Sequence, residues 1–172
     1  INTLVKANIL SSKWQWTWPK SLNVCGTVCQ VTFVPMSAVA MTSVTCYSHP
    51  VDEKSLVIYP EVICGSSKHA PIIIFGILLA VFSTLFFVNA LYGAWKAPAK
   101  ASEGSITFLQ SYRWLFFRFR VDVWYWGCVI LFRGLVLAAI PPAVPEHPHL
   151  QMLLIILVLF VPMAIQLRTW PW

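Results

Sequence analysis

Arg133 is the residue of this chain whose chemistry most needs an explanation. It lies inside VWYWGCVILFRGLVLAAIPPA (123–143), where every other side chain is uncharged. At the centre of a helix crossing hydrocarbon, an Arg costs about 2.5–3.5 kcal/mol on insertion scales, so it persists only where a partner, a cavity or water solvates it. No Asp or Glu lies deep in any apolar stretch. If Asp122 shares a helix with Arg133, the two are about 16 Å apart and cannot pair. The remaining candidates are Gln30, Asn89, Gln166, backbone carbonyls beside a proline break, or a carboxylate supplied from beyond this sequence. Arg133 is then either a structural hydrogen-bond hub or a residue lining a pathway.

The other reactive types are cysteine and histidine. Cys46 and Cys64 bracket a polar stretch between two apolar ones. In an oxidising compartment a disulfide between them would close a short loop, contributing about 3 kcal/mol. The alternative is two free thiols. His69 follows closely, but two Cys and a His at this spacing match no standard zinc pattern, so no metal is expected. Cys25 and Cys29 stand one helical turn apart, in line with Ser21. They read as a ridge of small residues that lets helices approach, as do Gly76, Ala80 and Thr84, and Gly134 with Ala138. Cys128 reads as a small buried residue. Glu146, His147 and His149 sit together on a polar turn. The sequence contains no phosphate loop, GxSxG, HExxH or intramembrane carboxylate pair. The chain is therefore expected to be neither an enzyme nor a cofactor-binding protein.

Four apolar segments must position these residues. Spans are expected at 21–44, 71–95, 122–143 and 150–167, each close to the ~20 residues a helix needs to cross about 30 Å of hydrocarbon. The second and fourth contain uninterrupted apolar runs. The first is diluted by Asn23, Thr27, Gln30, Thr32 and Pro35, which are tolerated where they face protein. The third ends at Pro141–Pro142. Around the spans fall an interfacial N-terminal segment (1–20), an outer loop (45–70), a linker with an interfacial basic-aromatic helix (96–121), an outer turn (144–149) and a tail (168–172). The expected fold is all-α, a polytopic bundle of about four spans. Charged residues are only 10% of the chain, against about 25% in soluble domains, and hydrophobic residues 58%; a soluble protein of this make-up would aggregate. The chain opens without an initiator Met and is read as a piece of something longer.

Charge sets the expected orientation. Lys6, Lys13, Lys20, Lys96, Lys100, Arg113, Arg118, Arg120 and Arg168 fall on one side of a four-span arrangement, and only Lys54 and Lys68 on the other. The positive-inside rule puts the first set in the cytoplasm. The net charge of +6 is thus a topology signal and argues for no nucleic-acid partner. Trp14, Trp16 and Trp18, followed by Pro19, suit headgroup depth and the first turn of a helix. Thr107 to Arg120 is basic and aromatic, able to lie in the lipid interface with Arg113, Arg118 and Arg120 snorkelling. Thr107 with Gln110 makes a weak capping box for its start. Lys96 to Gly104 reads as a polar linker. The expected partners are the lipid bilayer and further transmembrane helices, of the same longer chain or of a membrane complex.

The order of several motifs resembles a known family. Trp18–Pro19 precedes a span that ends in Cys46–Tyr47. A loop follows, with Cys64 shortly before His69, and then a strongly apolar span. After it come Phe117-Arg118-Phe119-Arg120, Trp124-Tyr125-Trp126-Gly127 and a basic residue inside the next helix. From about Trp14 to about Arg168 this resembles the membrane region of large multi-pass proteins of protists and fungi described as transient receptor potential-like or polycystin-like. The FRFR…VWYWG…FRGL run looks most like versions from dinoflagellates and related protists. The resemblance implies a channel-like or transporter-like module. No selectivity filter or gate carries over, and the long outer repeats and additional spans usual in such proteins are not in this sequence. The rival expectation is a non-catalytic structural subunit that docks its helices on a larger membrane complex.

Overall fold

The computed structural model describes residues 17–48 and 54–172. Trp14, Trp16, Lys6 and Lys13 of the expected N-terminal anchor lie outside them. The fold is an all-α bundle in which four helices are long and apolar enough to cross a membrane: α1 (Trp18–Thr42), α2 (Ala70–Ser102), α5 (Trp126–Ala143) and α6 (Pro148–Thr169). Two short helices, α3 (Ile106–Ser111) and α4 (Arg113–Phe116), and a 3₁₀ turn (Val121–Val123) join α2 to α5.

α1 starts at Trp18, with Pro19 in its first turn where a missing N–H costs nothing. Thr27, Thr32 and Thr42 donate their hydroxyls back to carbonyls one turn earlier, so these three are satisfied within the helix. Between α1 and α2 the chain makes an antiparallel hairpin, β1 (Cys46–Ser48) with β2 (Lys54–Leu56), pairing Cys46 with Leu56 and Ser48 with Lys54. No strand was expected there; three-residue strands are too short to show an alternating pattern.

α2 is 33 residues long, about 50 Å at ~1.5 Å per residue, well beyond a hydrocarbon core. The stretch read as a polar linker from Lys96 is helical and forms its last turns. Lys96-Ala-Pro-Ala-Lys-Ala is rich in strong helix formers, and only Pro98 opposes them. Pro98 deprives the Ala94 carbonyl of its helical donor. The Trp124 indole N–H fills that vacancy at 3.0 Å.

α1 packs against α2, α3, α4 and α5, and α6 packs on α5. The core joins Phe33, Ala90, Ala94, Leu115, Cys128 and Leu131, with Phe86, Phe87 and Trp114 stacked at its edge. α6 buries no residue. The expected capping box is absent: Ser105 holds the N-cap position of α3 without a side-chain bond, and Thr107 lies inside the helix.

Candidate functional site

Arg133 sits on a second stripe of α5. The main face of that helix is Gly127, Leu131, Gly134 and Ala138, all buried. Trp126, Arg133 and Ile140 recur one heptad apart on another side, with Trp126 and Ile140 buried and Arg133 half-buried. The Nε of Arg133 and the indole Nε1 of Trp126 are both buried without a hydrogen-bond partner among the described residues. Two donors on one stripe of one helix therefore lack acceptors among the described residues. Among the described residues, none of the partners expected within this chain supplies one. The Asn89 Oδ1 accepts from the Tyr112 hydroxyl at 2.8 Å, and no bond joins Arg133 to Gln30 or Gln166. Asp122 lies in the 3₁₀ turn, off the helix of Arg133, and pairs with Arg120 at 3.0 Å.

Around Cys46 and Cys64 the structure is closed. The two form a disulfide, with Cα atoms 6.5 Å apart. His69 is buried at 3% exposure where α2 begins. The Gly65 N–H donates to its Nδ1 at 3.1 Å, which leaves the proton on Nε2, and that N–H donates to the Ser43 carbonyl at 3.2 Å. Cys46, Cys64 and His69 bring ligand atoms within 4.8 Å of one another. A metal would need thiolates and a free imidazole nitrogen. The disulfide takes the first and the two hydrogen bonds the second, so the cluster in this state is a latch rather than a metal centre.

The 107–120 segment is not one continuous helix but two short ones, α3 and α4, that meet at Tyr112. It turns inward as a wedge between α1 and α2. Leu115 is fully buried in the core. The Trp114 ring lies where a side chain on Gly26 would project, and the Tyr112 ring does the same at Gly93. The backbone carbonyl of Leu115 stands 2.7 Å from where a Cβ on Gly127 would be. Glycine at these helix positions is thus a requirement of close approach, not of backbone freedom. Burial pushes the Tyr112 phenol up from its ordinary range, with Tyr92 adding to the shift, so it remains a donor to Asn89.

Arg113, Arg118 and Arg120 are exposed at the rim of this wedge. The Arg113 guanidinium lies 4.1 Å over the Phe117 ring. The Arg120 N–H donates to the Pro171 carbonyl at 2.9 Å, and Phe119 packs on Trp172, so the wedge also holds the C-terminal tail.

The expected small-residue ridges are partly corrected. Gly134 and Ala138 are buried, and Gly76 fits against Ser43 and Ala40. On α1 the buried face is Gly26, Phe33, Ser37 and Ala40; Cys25 is exposed and Cys29 half-buried. On α2 it is Gly76, Ser83, Ala90 and Ala97, while Thr84 is exposed. His147 and His149 are exposed at the start of α6.

No protein family, curated protein or solved structure matches this chain. The resemblance to transient receptor potential-like and polycystin-like proteins therefore rests on the Trp, Pro, Cys and Arg pattern alone.

Proposed function

We propose that this chain is a multi-pass membrane module that functions inside a larger helical assembly, where it docks further transmembrane helices on α5. The carrying observation is Arg133, half-exposed at mid-span on α5 with its Nε lacking a partner among the described residues. An unsatisfied buried donor costs about 1–3 kcal/mol, and more when charged. Arg133 is accounted for if an added helix brings an acceptor to its half-exposed guanidinium, and a carboxylate there would also neutralise it. The bare apolar surface of α6 supports the same reading, since it suits lipid or another helix and not water.

The channel-like or transporter-like reading is the second, and Arg133 also favours it. A cation at mid-span shapes the field of any water-filled path beside it. One paired experiment separates the two. Arg133→Lys and Arg133→Gln are compared with the unchanged protein for the size of the detergent-extracted complex and for ion flux in liposomes. Loss of complex size in both variants supports docking. Altered flux with complex size intact supports a pathway. A complex and flux unchanged even in Arg133→Leu would reject both.

A further inference from the structure

We infer that the end of the bundle carrying Arg120 holds one anionic glycerophospholipid, its acyl chain in an apolar cavity and its phosphate on Arg120. This rests on the membrane reading above but not on helix docking. The cavity has a volume of about 490 Å³ and is walled by Ala97, Pro98 and Ala101 of α2 with Leu109, Phe116 and Trp124. Arg120 stands at its edge. A second cavity of about 410 Å³ shares Leu109, Phe116 and Phe119 with it and reaches Arg113.

Its depth makes the lining unusual. Counting along α2 from the apolar run that ends at Leu91, Ala97 and Ala101 lie about 9–15 Å farther on at ~1.5 Å per residue, which is headgroup depth. Walls at that depth meet water and phosphates, and an apolar cavity there is stable when an acyl chain fills it.

Charge selects an anionic occupant. Glu103 pairs with Lys100, and Asp122 with Arg120. Lys96, Arg113 and Arg118 have no carboxylate partner among the described residues; Lys96 and Arg113 lie over the rings of Trp95 and Phe117. The surplus is therefore cationic. Asp122 occupies only one nitrogen, Nη2, of Arg120, and the guanidinium keeps further donors for a phosphate.

The test is intact-protein mass spectrometry of the full chain in detergent, titrated with phosphatidylglycerol or with phosphatidylcholine. One phosphatidylglycerol should be retained in preference to phosphatidylcholine. Arg120→Gln should lower that retention about fivefold, the worth of one basic residue near an anionic headgroup. Ala101→Trp, which fills the cavity, should abolish it. Arg168→Gln, a cation at the same end but outside the cavity, should leave it unchanged. Equal retention of the two lipids, or an equal loss with Arg168→Gln, would overturn the site in favour of general surface attraction. So would a gain in retention on deleting residues 1–16, which would assign the cavity to the chain's own N-terminal segment. Recovery of the protein in water without detergent would overturn the membrane reading along with the site. Arg120→Gln alters an exposed side chain, so the test stands even if Ala101→Trp does not fold.

Discussion

Trp124 replaces the hydrogen bond that Pro98 removes. The proline takes the helical donor from the Ala94 carbonyl, and the indole N–H supplies another at 3.0 Å from outside the helix. The two residues therefore act as a pair. Trp124→Phe should destabilise the bundle by about 1–3 kcal/mol, because a buried carbonyl is left unmet. Pro98→Ala alone should be neutral or stabilising, since the helix recovers its own donor. In the Pro98→Ala background, Trp124→Phe should cost much less. Additive losses in thermal unfolding of the detergent-extracted protein would show that the two residues are independent.

The wedge makes a second prediction, about which glycine can be replaced. A Cβ on Gly134 would meet only the Val34 side chain, its Cγ2 at 2.6 Å, and Val34 is exposed, so a small outward shift of that side chain relieves the contact. On Gly127 it would meet the Leu115 carbonyl at 2.7 Å, which is backbone in the middle of the core. Gly134→Ala should therefore be tolerated within about 1 kcal/mol, whereas Gly127→Ala should cost about 1–3 kcal/mol, as overpacking usually does. Equal melting temperatures for the two would place the wedge elsewhere.

The sequence shows the four spans because about 20 largely apolar residues in a row, with at most one buried charge, have few other stable solutions. It shows the Cys46–Cys64 pairing as one of two open readings, through the position of the two thiols at the ends of one loop. The packing faces are not legible. α2 is apolar on nearly every side up to Lys96 and α1 carries no charge past Lys20, so no strong polar face tells Gly26–Phe33–Ala40 from Ser21–Cys25–Cys29. The wedge is hidden for a related reason: Tyr112, Trp114 and Leu115 have the composition of an interfacial anchor, and only tertiary contact with Gly26 and Gly93 turns them inward. Those isolated glycines inside apolar helices were the available signal. The extension of α2 past 95 is masked by Pro98, whose cost is met by a residue far along the chain.

At the disulfide end, His69 should matter more than its small size suggests. It ties the Ser43 carbonyl, at the end of α1, to Gly65 beside the disulfide. His69→Phe keeps the ring but loses both bonds, and should lower stability by about 1–3 kcal/mol. Reducing the Cys46–Cys64 bond should cost about 3 kcal/mol by releasing the loop, and should free only these two thiols for alkylation beyond those already reactive. Quantitative alkylation of Cys46 and Cys64 in untreated protein would reject the bridge.

Orientation follows from charge and can be read by labelling. With Cys25, Cys29 and Cys128 replaced by Ala and the disulfide kept, Ser67→Cys and Ser102→Cys each leave one exposed thiol, one on either side of the apolar run of α2. Intact vesicles should expose the first to an impermeant reagent and protect the second, because the lysines and arginines cluster at the Ser102 end. Labelling of both from one face would remove α2 as a span.

The orphaned stripe of α5 supplies the last prediction. Trp126→Phe removes a buried donor that has no acceptor among the described residues. For the isolated chain, this change should be neutral or stabilising, because a desolvated N–H disappears while the ring contacts remain. Trp126 is already covered within the chain, so the same change should leave assembly unchanged. Arg133→Leu should differ, easing insertion of α5 by about 3 kcal/mol while weakening assembly, because the half-exposed guanidinium can meet another helix. The two effects have opposite signs, and a purely internal packing role cannot produce both. The measurement is the melting temperature of the isolated chain alongside the size of the extracted complex, for each variant. Variants that destabilise the isolated chain would place the missing acceptors inside it. The docking surface on α5 would then be wrong.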